Sequence, residues 1–218
     1  MSTRTTYHDA LIRVGCKSSL GQPSKMPCPA YSIPATACHT GQKLAQVPGS
    51  TCHGCYALKG RYRFPNVAQA MAARMASLTA STWVNDMVTA IAHETSDYFR
   101  WHDSGDLQSA EHLDKIVQIA QRLPHIQFWL PTREYRIVAD YVRHHDIPAN
   151  LIIRVSAPMI DGDAPKIRTR QGTILPVSYV HAAQPPRGQV CPAPTQQNQC
   201  GTCRTCWTAT VNVSYHQH

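Results

Sequence analysis

Nine cysteines, most of them in two groups, constrain this chain more than any other feature. The C-terminal group is Cys191, Cys200, Cys203 and Cys206, spaced C-x8-C-x2-C-x2-C. Four soft thiolates so close in sequence can enclose one tetrahedral ion or one [4Fe–4S] cubane. Gly201 and the neighbouring threonines permit the tight turns that aim consecutive sulfurs at one centre. The C-x2-C-x2-C core is closer to ferredoxin-type ligation than to the paired knuckles of zinc ribbons, so a cluster is favoured and zinc stays open. The second group is Cys38, Cys52 and Cys55, spaced C-x13-C-x2-C. Three thiolates suit a cubane with one iron left open for chemistry. Cys28, His39 or His53 could supply a fourth ligand, which would close that site or make it zinc. Cys16 and Cys28 have no partner by spacing and read as buried thiols.

Composition narrows the context. A hydrophobic fraction of 43% over 218 residues supports one packed domain and excludes wholesale disorder. The first fifteen residues, MSTRTTYHDALIRVG, lack the apolar core of a secretory signal, and no run of about 18 apolar residues occurs. The chain is therefore expected to be cytoplasmic, where cysteines in such numbers imply metal rather than a disulfide framework. The charge is +8, from 21 Lys and Arg against 13 Asp and Glu. It admits an anionic partner or nucleic acid, but the basic residues are scattered and a diffusely positive surface explains them equally well.

Four stretches can be separated. Residues 1–66 are rich in Gly, Pro, Ser and Cys and read as an irregular region holding the three-cysteine loop. Residues 67–93 have helical periodicity, with Val67, Met71, Met75 and Leu78 followed by Trp83, Met87 and Ile91. Residues 97–160 alternate strand and helix: strands at Asp97–His102, His125–Leu130 and Leu151–Ser156, helices at Ser109–Arg122 and Glu134–His145. A further strand is expected at Thr173–Val180, and residues 181–218 form the four-cysteine tail. Alternation of this kind implies parallel βαβ units. The fold class is α/β, a partial (β/α) barrel flanked by the two Cys-rich regions, with a 67–180 core in one compact domain.

Functional groups of a parallel βα array collect at the C-terminal ends of its strands. Here these ends carry Asp103, Ser104, Gly105 and Asp106, then Thr132 and Arg133, then Ser156. An acid in a glycine turn can grip an ammonium or hydroxyl group. Arg133 can fork onto a carboxylate or phosphate, and Ser156 can bond a sugar hydroxyl. Helix capping is the competing role for Asp103 and Ser109.

A three-cysteine loop, a glycine-plus-acid turn, a Thr-Arg and a Ser at successive strand ends together resemble the radical S-adenosylmethionine superfamily. The resemblance implies that Cys38, Cys52 and Cys55 hold a [4Fe–4S] cluster. By the same token Ser104-Gly105-Asp106 would receive the cofactor's amino group and Ser156 its ribose or carboxylate. The pattern departs from that superfamily in three ways. The first cysteine gap is thirteen rather than three, Tyr56 follows the last cysteine instead of preceding it, and Asp106 stands where Glu is usual. A closer resemblance covers nearly the whole chain. Cys52-His-Gly-Cys-Tyr-Ala-Leu-Lys-Gly-Arg-Tyr62, His102-Asp-Ser-Gly-Asp106, Cys203-Arg-Thr-Cys-Trp207 and the closing Val211-Asn-Val-Ser-Tyr-His-Gln-His218 are similar to the phage- and plasmid-borne family called gene product eighty-eight. That resemblance implies a mobile-element origin.

The leading expectation is an iron–sulfur enzyme that binds S-adenosylmethionine and draws on an electron donor. Asp106 and Arg133 would serve the reaction, Ser104, Gly105, Thr132 and Ser156 would bind the cofactor, and Tyr56, Arg61 and Tyr62 would line the site. In this reading the tail centre is an auxiliary cluster. Two rivals remain: a non-catalytic metal-stabilised protein that binds nucleic acid or a host partner through Arg61-Tyr62-Arg63-Phe64, and zinc at both sites.

Overall fold

The computed structural model describes residues 6–217. Residues 1–5, where the N-terminal stretch begins, and His218 of the closing segment lie outside the described residues. The elements run α1 (Tyr7–Arg13), β1 (Ala30–Tyr31), α2 (His39–Ala45), α3 (Pro65–Ser77), α4 (Trp83–Ala92), β2 (Tyr98–Trp101), α5 (Ala110–Arg122), β3 (Gln127–Thr132), α6 (Tyr135–His144), β4 (Leu151–Ser156), β5 (Val177–His181), β6 (Gln189–Val190) and β7 (Val213–His216). Short 3-10 turns at Ala35–Ala37, Tyr56–Leu58, Gly60–Arg63, Ala193–Thr195 and Thr205–Trp207 fill the loops between them.

The seven strands form one sheet in the order β1-β2-β3-β4-β5-β7-β6, and every pairing is parallel. No described pairing joins β1 to β6, so hydrogen bonding leaves both as edges. The alternation of the strands sorts residues onto two faces. Phe99, Trp101, Phe128, Leu130, Leu151, Ile153 and Val155 join the main core with the apolar stripes of α4, α5 and α6, including Trp83, Met87, Leu113, Ile116, Val138 and Val142. Each such side chain contributes roughly 1.5–3 kcal/mol by leaving water. On the opposite face Tyr98, Trp129 and Tyr215 meet Trp207, Cys206 and Cys28 in a second buried cluster. Helices therefore cover one side of the sheet and the cysteine tail covers the other.

Four expectations about elements are corrected. The helical stretch 67–93 is two helices, α3 and α4. The break falls in a Ser/Thr-rich turn, where the Thr79 hydroxyl bonds Ala76 O at 3.2 Å and Lys115 Nζ caps Leu78 O at 2.7 Å, competing with the helical ladder. Residues 1–66 are less irregular than their composition suggests: α1 forms on an N-cap by Thr6, and β1 enters the sheet with Ala30 opposite Arg100. The strand expected at Thr173–Val180 begins only at Val177, since Pro176 has no N–H to donate and offers only its carbonyl, to Val155 N at 2.9 Å. β3 runs on to Thr132, past the expected end at Leu130. Among the described residues no helix is long and apolar enough to cross a membrane.

Candidate functional site

The C-terminal end of β2 leads into a tight turn. His102 has φ +54° and Gly105 φ +85°. A Cβ on Gly105 would lie 2.3 Å from Ile33 Cγ1 and 2.7 Å from Ile33 O, so only glycine lets this turn lie against the N-terminal region. Ser104 secures the contact: its hydroxyl donates to Ile33 O at 3.1 Å, and Ile33 N donates to Ser104 O at 3.1 Å.

Asp106, 6% exposed, ties the ends of β2 and β3 together. Its Oδ1 accepts from the Thr132 hydroxyl at 2.6 Å and from Leu107 N at 2.8 Å. Its Oδ2 accepts from Arg133 N at 2.8 Å. Burial pushes its pKa up to about 6, against the lowering effect of those three hydrogen bonds. The backbone around Thr132 and Arg133 is thus held by Asp106. The Arg133 side chain extends toward β4, with Nε 3.4 Å from Ala157 O. Ser156 is buried, and its carbonyl accepts from Tyr135 Oη at 2.6 Å.

The three-cysteine loop is laced across the same strand ends. Thr51 N donates to Pro158 O at 2.9 Å, and its hydroxyl contacts Ala157 O and Pro158 O at 3.1 and 3.2 Å. Glu134 accepts from Thr40 N at 2.8 Å and from its hydroxyl at 2.9 Å. Beyond Cys55, Tyr56 donates to Asp103 O and Tyr62 to Asp103 Oδ2. Cys38, Cys52 and Cys55 therefore stand over the exits of β2, β3 and β4. Gly41 keeps the space between two of the thiols open, because a Cβ there would sit 3.6 Å from Cys38 Sγ and 3.8 Å from Cys52 Sγ. Burial pushes the Cys38 thiol up to about 12, and the charges of Asp106, Cys52, Cys55 and Glu134 add to the effect. Burial also raises Cys52, while Arg133 lowers it. A cleft of about 330 Å³ opens beside Cys38, lined by His39, Lys43 and Arg136 among others. His53 Nδ1 lies 3.1 Å from Ala45 O.

Cys191, Cys200, Cys203 and Cys206 line a separate gap of about 20 Å³ under Trp207, room for about one water-sized particle. Cys206 Sγ lies 3.1 Å from Tyr215 Oη, and Cys203 Sγ lies 3.3 Å from Thr205 Oγ1. Among the described residues no three His, Cys, Asp or Glu side chains form a group that could hold a metal ion. The thiols of each set are neighbours without a closed coordination shell.

Sequence reasoning missed three participants here. Cys28, read as an isolated buried thiol, is buried against Trp129 and Trp207 with Cys206 beside it. Arg100 lies 4.4 Å above the Trp129 ring. Arg154, with no exposed surface, donates to the carbonyls of Val177, Val211, Thr205 and Thr208 at 2.7–3.2 Å. The available signal was an arginine inside each of two apolar strands, Tyr-Phe-Arg-Trp and Leu-Ile-Ile-Arg-Val-Ser.

A family model described as Gene product 88 matches residues 3–209 of the chain. No curated protein matches it, and neither does any solved structure.

Proposed function

Starting from a chain that belongs to the Gene product 88 family, we propose that this is an iron–sulfur protein that binds S-adenosylmethionine and runs radical chemistry, supplied by an electron donor. The observation that carries the reading is the placing of Cys38, Cys52 and Cys55 over the strand ends that bear Ser104, Gly105, Asp106, Thr132, Arg133 and Ser156. The curling of the parallel sheet into a partial barrel belongs to the same proposal.

The donor chemistry of the residues suits the group. Three soft thiols suit an iron–sulfur cluster with one open iron. Gly41 leaves room between Cys38 and Cys52. Cys28, one alternative fourth ligand, lies in the other cysteine cluster. A thiol that ligates a metal gives up its proton in doing so. A cluster held there would supply one electron to cleave the cofactor's carbon–sulfur bond, releasing methionine, and the 5′-deoxyadenosyl fragment would become 5′-deoxyadenosine by taking a hydrogen atom from the substrate or the reductant.

The chain's own residues position that chemistry. Asp106 has both oxygens engaged, Oδ2 by Arg133 N alone, and acts as a positioning residue that fixes Thr132 and the Arg133 backbone. The Arg133 guanidinium, whose Nε makes only a long contact, is the group assigned to the cofactor carboxylate. The Ser104-Gly105 turn and Ser156 frame the remainder, and the cleft beside Cys38 is the open side toward the substrate. The tail thiols form a second, closed metal–thiolate centre, either an auxiliary cluster or zinc.

The test is anaerobic reconstitution with iron and sulfide, followed by S-adenosylmethionine and a low-potential reductant. The expected result is 5′-deoxyadenosine from the native chain and none from Cys52→Ala. Absence of both cleavage and binding of the cofactor overturns the enzyme reading, and a colourless anaerobic protein carrying zinc without iron overturns the cluster.

One observation favours a second reading. Arg61, Arg63 and Phe64 are exposed side by side, Phe64 by 55%, and such a pairing of cations with an aromatic ring suits single-stranded nucleic acid. Binding of that kind weakens steeply as salt is raised.

A further inference from the structure

We propose that the C-terminal metal–thiolate centre takes a ligand from outside the tail, Cys28, and so staples the N-terminal region to the tail across one face of the sheet. The inference rests on the reading of the tail as a metal site and adds a residue that the tail spacing does not contain.

Three observations converge on it. The first is placement. Cys28 is 3% exposed and belongs to the buried cluster of Trp129 and Trp207, against which Cys206 packs. The backbone holds the two segments together, since Cys200 N donates to Lys25 O at 2.9 Å. The second is a shared wall. Trp207 lines the tail gap together with Cys191, Cys200, Cys203 and Cys206 and sits in the buried cluster with Cys28.

The third is charge balance. Arg154 has no exposed surface and bonds only to backbone carbonyls. No carboxylate is among the groups that influence it, which are Tyr215 and Cys206. A guanidinium stays protonated in a protein, and a buried cation without a counter-charge is costly. Arg100 presses on the same cluster from β2. Four thiolates around one divalent ion, or around an oxidised [4Fe–4S] core, carry two net negative charges. Arg154 is a buried positive charge on the same side of the sheet, and Arg100 is a second that also faces the Asp103 carboxylate. Cys28 lies on this buried, cationic side, while all four tail cysteines are half-buried, so Cys28 takes the place of one tail cysteine in the four-thiolate set. Binding at Cys28 releases its thiol proton to solvent and leaves the thiolate on the metal.

The experiment is alkylation of the full-length protein as purified and after chelation, read cysteine by cysteine by mass spectrometry, with iron and zinc content measured in parallel. Cys16, buried at 7% exposure and remote from the tail cluster, controls for burial alone. The expected result is that metal removal makes Cys28 reactive together with Cys200 and Cys206, and leaves Cys16 unchanged. Cys28→Ser should lose tail metal to the same extent as Cys200→Ser. Two results overturn the inference and spare the tail site: Cys28 reactivity unaffected by chelation while the tail cysteines respond, or wild-type metal content in Cys28→Ser. A native protein whose tail cysteines are equally reactive with and without chelator removes the tail site itself, and the inference with it.

Discussion

Gly105 and Asp106 sit next to each other and do opposite things. Gly105 is defined by the absence of a side chain: its φ of +85° and the 2.7 Å that a Cβ would leave to Ile33 O have no room for alanine. Left-handed backbone costs an L-residue roughly 1–2 kcal/mol, and an overpacked contact about 1–3 kcal/mol more. Gly105→Ala is expected to lower unfolding free energy by about 3 kcal/mol in urea titration; a loss below about 1 kcal/mol would mean that the turn relaxes away from Ile33. Asp106 is defined by a short side chain. Its carboxylate turns back onto the next amide, Leu107 N, and reaches Thr132 and Arg133 at the same time. A longer acid would overshoot its own backbone.

At the level of elements, β4 and the tail are joined by one side chain. Arg154 spans the start of β5, the Thr205–Trp207 turn and the approach to β7 through four carbonyls. Arg154→Met would leave those acceptors without their donor, at a cost of at least about 3 kcal/mol. Hydrogen exchange is expected to accelerate across 200–212 while α5 keeps its protection. Equal protection of the tail in variant and native protein would show that Arg154 does not hold it. Arg154→Lys is not expected to rescue, because an ammonium cannot reproduce the fork that serves four acceptors. The helices show how legible elements were. α5 and α6 follow from their apolar spacing almost to the residue, and β4 from an apolar run broken only by Arg154. β1 was invisible, being two residues long and made a strand only by its neighbour β2.

For the whole molecule, acid stability rests on a buried imidazole pair against one carboxyl. His102 and His112 are 3% and 4% exposed, with ring centroids 5.2 Å apart. Burial holds His102 well below 6.5 and lowers His112 to about 4. The unfolded chain therefore binds protons first, so the stability from His112 is complete above about pH 6.5 and is lost as pH falls toward 4. Asp106 works in the opposite direction. Its folded pKa of about 6 lies above the ordinary 3.8, so the folded state takes up that proton first and gains stability over the same fall in pH. Two imidazoles against one carboxyl give a net loss on acidification. His112 accounts for on the order of 3 kcal/mol of it. The midpoint of unfolding in His112→Gln should vary less between pH 7 and pH 4 than in the native protein; parallel curves would remove His112 from this role.

The sequence by itself determined the α/β alternation, the main core-facing stripes and the two cysteine spacings, because periodicity and short-range ligand spacing are local properties of a chain. The strand-end residues were also legible, since a parallel sheet carries its loops on one edge. Only the tertiary structure decided that Asp106 is consumed by Thr132 and Arg133, that the three-cysteine loop lies over those ends, and that Cys28, Arg100 and Arg154 gather beneath the tail. The physical reason is sequence distance. Cys28 and Cys200 are brought together by a sheet order that sets the last strands beyond β5 and folds the tail back across Trp129, and no local pattern records that approach.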